Sequence, residues 1–189
     1  MTVAATPLVS DPAAVSTVVL LGNPNTGKTT LFNAFCGARA KTSNFPGTTT
    51  SLRRGHTRSS ILAGGTEVVD LPGVYDLTED SPEARIATST LASAADTSVV
   101  VVIIDACHLA RNLTIVGQAI RTQCRLVVAL NMVDLAGRRG VTIDAVALEG
   151  LLGVPVVPIV ARSQRGFTQL EQAILDARRG RPDQVPDGA

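Results

Sequence analysis

The sequence predicts an α/β fold: a doubly wound, mostly parallel six-stranded sheet with helices on both faces and one antiparallel edge strand. Three observations lead there. Short β-branched runs alternate with longer amphipathic segments along most of the 189 residues. Those runs are apolar throughout, as strands covered on both faces are, rather than alternating apolar and polar. One further run breaks the pattern with charges and leads into the next strand through a glycine turn.

The apolar runs are Val18–Leu21, Glu67–Leu71, Val99–Ile104, Leu126–Leu130 and Val156–Val160. Between them, Lys28–Cys36, Pro82–Ala92, Leu113–Arg121, Ile143–Leu152 and Thr168–Arg178 read as helices, and strands alternating with helices form crossover units of a parallel sheet. The exceptional run, Thr50–Ile61, carries Arg53, Arg54, His56 and Arg58, and Ala63-Gly64-Gly65 returns it to Glu67 with no room for a helix. It is expected to pair antiparallel at the sheet edge, where charges oppose unwanted strand addition. Residues 1–15 read as a flexible leader, 16–179 as the folded domain and 180–189 as a flexible, Pro-containing tail.

Composition narrows the function classes. Hydrophobic residues make up 45% and charged residues 17%, a balance that favours a compact core over disorder. A net charge of +1 provides no field for a polyanion, so no nucleic-acid partner is expected. Cys36, Cys107 and Cys124 lack the spacing of a disulfide framework or zinc site, and His56 and His108 are too far apart in the expected fold to ligate a metal together. The first fourteen residues do not have the order of a signal peptide, and the longest apolar run, Val99–Ile104, falls well short of a membrane span. A soluble, cytoplasmic chain is the expectation.

The strongest local signal is Gly22-Asn23-Pro24-Asn25-Thr26-Gly27-Lys28-Thr29, a GxxxxGK-Thr motif between a buried strand and a helix. In that context successive backbone N–H groups from Asn25 to Thr30, together with the positive helix end, bind a phosphate chain. Lys28 neutralises the β- and γ-phosphates and the Thr29 hydroxyl holds Mg²⁺. Asp70-Leu71-Pro72-Gly73 ends an apolar strand, where the carboxylate reaches the metal through water and the Gly73 N–H approaches the γ-phosphate. An ordinary Leu-Pro-Gly turn is the competing reading.

Base recognition is expected at Asn131-Met132-Val133-Asp134, after the strand Leu126–Leu130. The Asp134 carboxylate can accept both the ring N–H and the amino hydrogen of guanine, a donor pair adenine lacks. Charge-assisted bonds contribute ~1.5–3 kcal/mol each, enough for strong discrimination. Val160-Ala161-Arg162 follows the last strand, where the Ala161 N–H is expected to meet the guanine carbonyl. The loop Asn44-Phe45-Pro46-Gly47-Thr48-Thr49 can order around a γ-phosphate and relax after hydrolysis. Thr49 is selected there as the second Mg²⁺ hydroxyl ligand, Thr48 and Thr50 compete with it, and Gly47 and Ser51 flank them.

The runs Gly22–Asn33, Asn44–Thr49, Asp70–Leu77, Ser81–Glu83, Arg111–Leu113, Ala129–Asp134 and Leu152–Pro158 resemble the G domain of the FeoB family of bacterial ferrous-iron transporters. The likeness covers about residues 17–178. It implies a P-loop GTPase fold, GTP and GDP as ligands, Mg²⁺ as cofactor, and coupling of nucleotide state to Fe²⁺ uptake at the cytoplasmic face of the inner membrane. Helical regulatory and transmembrane domains, and self-association, are its implied partners. Asn25 matches the asparagine that helps hold K⁺ in potassium-activated members; shaping the loop is the alternative role. Lys28, Asn25, Thr49 and Gly73 are the implied catalytic group.

The match has departures. Val74 stands where many GTPases carry a water-orienting glutamine, which implies slow intrinsic turnover. Thr48 replaces the family's usual Val, and Ser51 its common Glu. The chain stops near Ala189, before the further domains the resemblance leads one to expect. Two other functional readings remain: a regulatory binding module whose turnover is incidental, and a G protein unconnected with iron.

Overall fold

The computed structural model describes residues 15–37, 41–44, 51–62, 65–94 and 97–180. Their seven strands form one sheet in the order β2-β3-β4-β1-β5-β6-β7. These are β1 (Thr17–Leu21), β2 (Lys41–Asn44), β3 (Ser51–His56), β4 (Glu67–Asp70), β5 (Ser98–Asp105), β6 (Leu126–Asn131) and β7 (Val156–Pro158). The helices are α1 (Lys28–Cys36), α2 (Pro82–Ala92), α3 (Leu109–Arg121), α4 (Val133–Arg138), α5 (Ala145–Leu152) and α6 (Phe167–Arg179).

The five expected apolar strands run parallel, and β3 is antiparallel to β4 as expected, with Arg54 opposite Val69 and His56 opposite Glu67. The sheet nevertheless has a seventh member, because β2 pairs antiparallel with β3 and takes the edge position from it. Lys-Thr-Ser-Asn has no apolar alternation, so β2 gave no signal in the sequence. The charge on β3 is used across the sheet: Arg54 Nη1 lies 3.1 Å from Glu67 Oε1.

Period-two geometry sends successive residues of a central strand to opposite faces. Val19, Leu21, Val100, Val102, Ile104, Leu126, Val128 and Leu130 pack with residues of α2, α3 and α5. Val18, Leu20, Val99, Val101, Ile103, Val127 and Ala129 pack with α1 and α6 on the other side. Each fully buried Val, Leu or Ile contributes roughly 1.5–3 kcal/mol. Since α1 follows β1 onto one face and α3 follows β5 onto the other, a crevice opens at the carboxyl ends of these neighbouring strands, where ligands of doubly wound sheets bind.

Local chemistry sets the helix starts. Ser81 accepts from the Ala84 N–H at 3.1 Å and Pro82 occupies the first position of α2. Asp144 accepts from Val146 and Ala147 at the start of α5, two residues later than Ile143, the start expected from sequence. Helix α3 begins at Leu109 rather than Leu113, after a short 3₁₀ turn capped by Asp105. The last strand closes at Pro158, and Val160 instead pairs with Arg165 in an isolated bridge. No described helix is long and apolar enough to cross a membrane.

Candidate functional site

The loop between β1 and α1 builds an anion cradle from its own backbone. Thr26 Oγ1 donates to the Asn23 carbonyl at 2.9 Å and tightens the turn, while Asn25 adopts φ 66°. Gly27 has φ 96°, and a Cβ there would collide with the Asn131 amide, so glycine is required on both counts. The Lys28 ammonium is buried and folds back on the loop, donating to the Gly22 and Asn23 carbonyls, each at 2.9 Å. Burial pushes its pKa down to about 8, against an opposing pull from Asp70.

Asp70 at the end of β4 meets this cradle. Its Oδ2 accepts from Thr29 Oγ1 at 3.2 Å, whereas its buried Oδ1 has no hydrogen-bond partner. Burial raises the Asp70 pKa, opposed by Lys28, Thr29 and Arg53. Arg53 is the direct cross-strand neighbour of Asp70. A carboxylate oxygen left bare beside a hydroxyl fits a hydrated divalent cation, so these residues suit Mg²⁺.

After Asp70 the chain runs along the cradle. The Leu71 N–H donates to the Leu20 carbonyl at 3.1 Å and the Val74 N–H to Gly22 at 3.3 Å. Gly73 lies so close to Pro24 that a Cβ would be 2.9 Å from the Pro24 Cα. Val74 is 3% exposed and packs in the core below α2 and α3. The side chain at the glutamine position therefore points away from the cradle.

The segments expected to read a base come together at the ends of β6 and β7, with β5 between β6 and β1. Asn131 Nδ2 donates to the Thr26 carbonyl at 2.8 Å, joining this strand end to the phosphate loop. Asn131 Oδ1 accepts from the Ala161 N–H at 2.9 Å. In this arrangement the Ala161 N–H, expected to meet a guanine carbonyl, is engaged by Asn131. Met132 has φ 64° and initiates α4, a six-residue helix not anticipated from sequence because it lies inside the base motif. Within it, Asp134 Oδ2 lies 2.7 Å from Arg138 Nη2, an i,i+4 pair that holds the carboxylate partly exposed.

Gly22–Thr30, Asp70–Gly73, Asn131–Asp134 and Val160–Arg162 thus lie along the carboxyl ends of β1, β4, β6 and β7. Gly47, Thr48, Thr49 and Thr50 fall outside the described residues, and of Ser51 only its place at the start of β3 is described. Sequence reasoning missed Arg53, Gln118 and Arg138; the last could have been found from its i,i+4 spacing, had α4 been recognised.

Comparison with known proteins agrees with this geometry. Residues 16–174 match the family model described as ferrous iron transport protein B. The Fe(2+) transporter FeoB of Legionella pneumophila strain Paris is 40% identical over 163 residues, covering 83% of this chain and 21% of that protein. A Porphyromonas gingivalis fusion of Fe(2+) transport protein A with FeoB is 36% identical over 164 residues, covering 87% and 19%. The chain therefore spans about a fifth of these relatives' length.

Among solved structures, the cytosolic domain of L. pneumophila FeoB aligns with TM-score 0.76 and 40% identity, covering 85% of this chain and 63% of that one. A GDP-bound S. thermophilus NFeoB mutant gives 0.78 and 34%, covering 86% and 62%. The FeoB G-domain of Methanococcus jannaschii gives 0.71 and 35%, covering 88% and 99%. With the family match and the fold in agreement, the chain belongs to the ferrous iron transport protein B family and has the P-loop GTPase fold of its G domain.

Proposed function

We propose that this chain, as a G domain over residues 16–179, binds GTP with Mg²⁺, hydrolyses it slowly, and couples nucleotide state to Fe²⁺ uptake by a transporter. One observation carries the reading. A buried ammonium, a bare carboxylate oxygen and a hydroxyl converge beside a glycine-bent loop, and that loop is joined through Asn131 to a strand end carrying Asp134.

In this reading Lys28 exchanges its two carbonyl acceptors for β- and γ-phosphate oxygens. Thr29 and Asp70 would hold the metal, with Thr49 as the second hydroxyl, and a bound Mg²⁺ would supply positive charge to the phosphates. Gly73 presents its N–H toward the γ-phosphate. Asp134 reads the two guanine donors, and Arg138 keeps the carboxylate oriented. The Arg162 N–H, next along the chain from Ala161, is the alternative donor to the guanine carbonyl. Asn25 would hold K⁺ in support of hydrolysis, or else shapes the loop through its left-handed backbone.

Slow turnover follows from Val74, whose buried side chain cannot orient water; this also favours a second reading, a nucleotide-dependent switch with incidental turnover. Helical regulatory and transmembrane domains, and a second copy of the chain, are the proposed partners, at the cytoplasmic membrane face. Single-turnover hydrolysis of GTP in Mg²⁺ tests the enzymatic reading. Cleavage faster in K⁺ than in Na⁺ is expected, while tight binding with no cleavage in either salt would leave only the switch.

A further inference from the structure

The segment following Gly73 is held from a direction that nucleotide binding does not require. Gln118 projects from α3 with both ends of its amide in use: Oε1 accepts from the Leu77 N–H at 2.8 Å, and Nε2 donates to Asp76 Oδ1 at 2.6 Å. The same Asp76 oxygen accepts from the Thr78 N–H at 2.7 Å and the Thr78 hydroxyl at 2.6 Å. About two turns earlier on α3, the Arg111 guanidinium sits 4.4 Å over the Tyr75 ring, while the Arg111 carbonyl accepts from Asn23 Nδ2 of the loop after β1 at 3.5 Å.

Residues 75–78 are thereby tied to α3, while residues 73–74 press against Pro24 and Gly22 of the cradle. We propose that Gln118 is a positioning residue for GTP hydrolysis: its two-ended amide clamp on Asp76 and Leu77 fixes the segment that aims Gly73 at the γ-phosphate. The inference rests on the GTPase reading above. A glutamine suits the task because it must accept from one backbone N–H and donate to a carboxylate a residue away; neither a carboxylate nor an apolar side chain of equal length does both. Both anchored ends lie in one short loop, so releasing them frees the loop without touching the residues that hold the nucleotide. Misplacement by ~1 Å costs up to ~100-fold in rate.

The test uses the 189-residue chain with Mg²⁺ and K⁺, comparing wild type with Gln118→Met, which keeps the side-chain length and removes the hydrogen bonds. Single-turnover hydrolysis of bound GTP is expected to slow by about 10-fold, with GDP affinity within about two-fold of wild type. Gln118→Glu keeps an acceptor for the Leu77 N–H but sets a second carboxylate against Asp76, and is expected to slow hydrolysis at least as much as Gln118→Met, with GDP affinity again within about two-fold of wild type. Unchanged hydrolysis in either variant, or a parallel fall in hydrolysis and GDP affinity, would overturn the proposal. Absence of hydrolysis in wild type would instead refute the GTPase reading on which it rests.

Discussion

The two ends of the candidate site are prepared in opposite ways. At the base end, Asn131 is buried and both ends of its amide are engaged, to Thr26 and to Ala161, and Asp134 has its arginine partner. At the phosphate end, an ammonium is buried against two carbonyls with its pKa depressed, and a carboxylate oxygen is buried with no partner. The base end is thus built as structure, whereas the end proposed to take phosphate holds buried charge that a polyanion and its cation would compensate further. Specificity can rest on the rigid end while binding energy comes from the uncompensated one.

Lys28→Met should break this contrast most sharply. Loss of the ammonium is expected to weaken triphosphate binding by more than ~100-fold, two or more charge-assisted bonds being lost. In the nucleotide-free protein the same change removes a poorly solvated charge but strands the Gly22 and Asn23 carbonyls and takes the counter-charge from Asp70, so stability should change by less than about 1 kcal/mol, read from denaturant midpoints. Asn131→Ala should do the reverse at the base end, costing about 2–4 kcal/mol of stability by stranding the Thr26 carbonyl and the Ala161 N–H. Nucleotide affinity would fall with it, whereas stability unaffected by Asn131→Ala would show that the base end is not structural.

A smaller effect concerns pH. Because the folded pKa of Lys28, about 8, lies below its ordinary value of 10.5, the folded state binds fewer protons than the unfolded one between those limits. Stability therefore rises with pH across that window, and the full penalty is present only below about 8. The stability difference between wild type and Lys28→Met should accordingly shift in favour of wild type as pH increases from 8 toward 10.5. A gap independent of pH would remove the buried ammonium as its source.

What the sequence made legible divides along similar lines. α1 and α2 begin and end where expected because Gly27, Ser81 and Pro82 are strong local signals, and β1, β5 and β6 are continuous apolar runs. The polar strand β2 had no periodicity to reveal it, and the six-residue α4 was hidden within a motif read for its chemistry. The described motif residues could be placed at strand ends because each follows an apolar run. Ala161 shows the limit: its position was foreseen, but the partner of its N–H is set by a side chain thirty residues away in sequence. Gln118 was invisible for the same reason, since an isolated polar residue on an amphipathic helix carries no sign of what it will meet.

The account depends most on one site reading guanine at its rigid end. Calorimetric titration with GDP and ADP in excess Mg²⁺, on wild type and Asp134→Asn, measures this directly. The expected result is a GDP preference of at least ~100-fold in wild type, lost in Asp134→Asn, which should bind xanthosine diphosphate instead. Equal affinity of the wild-type protein for GDP and ADP would contradict it.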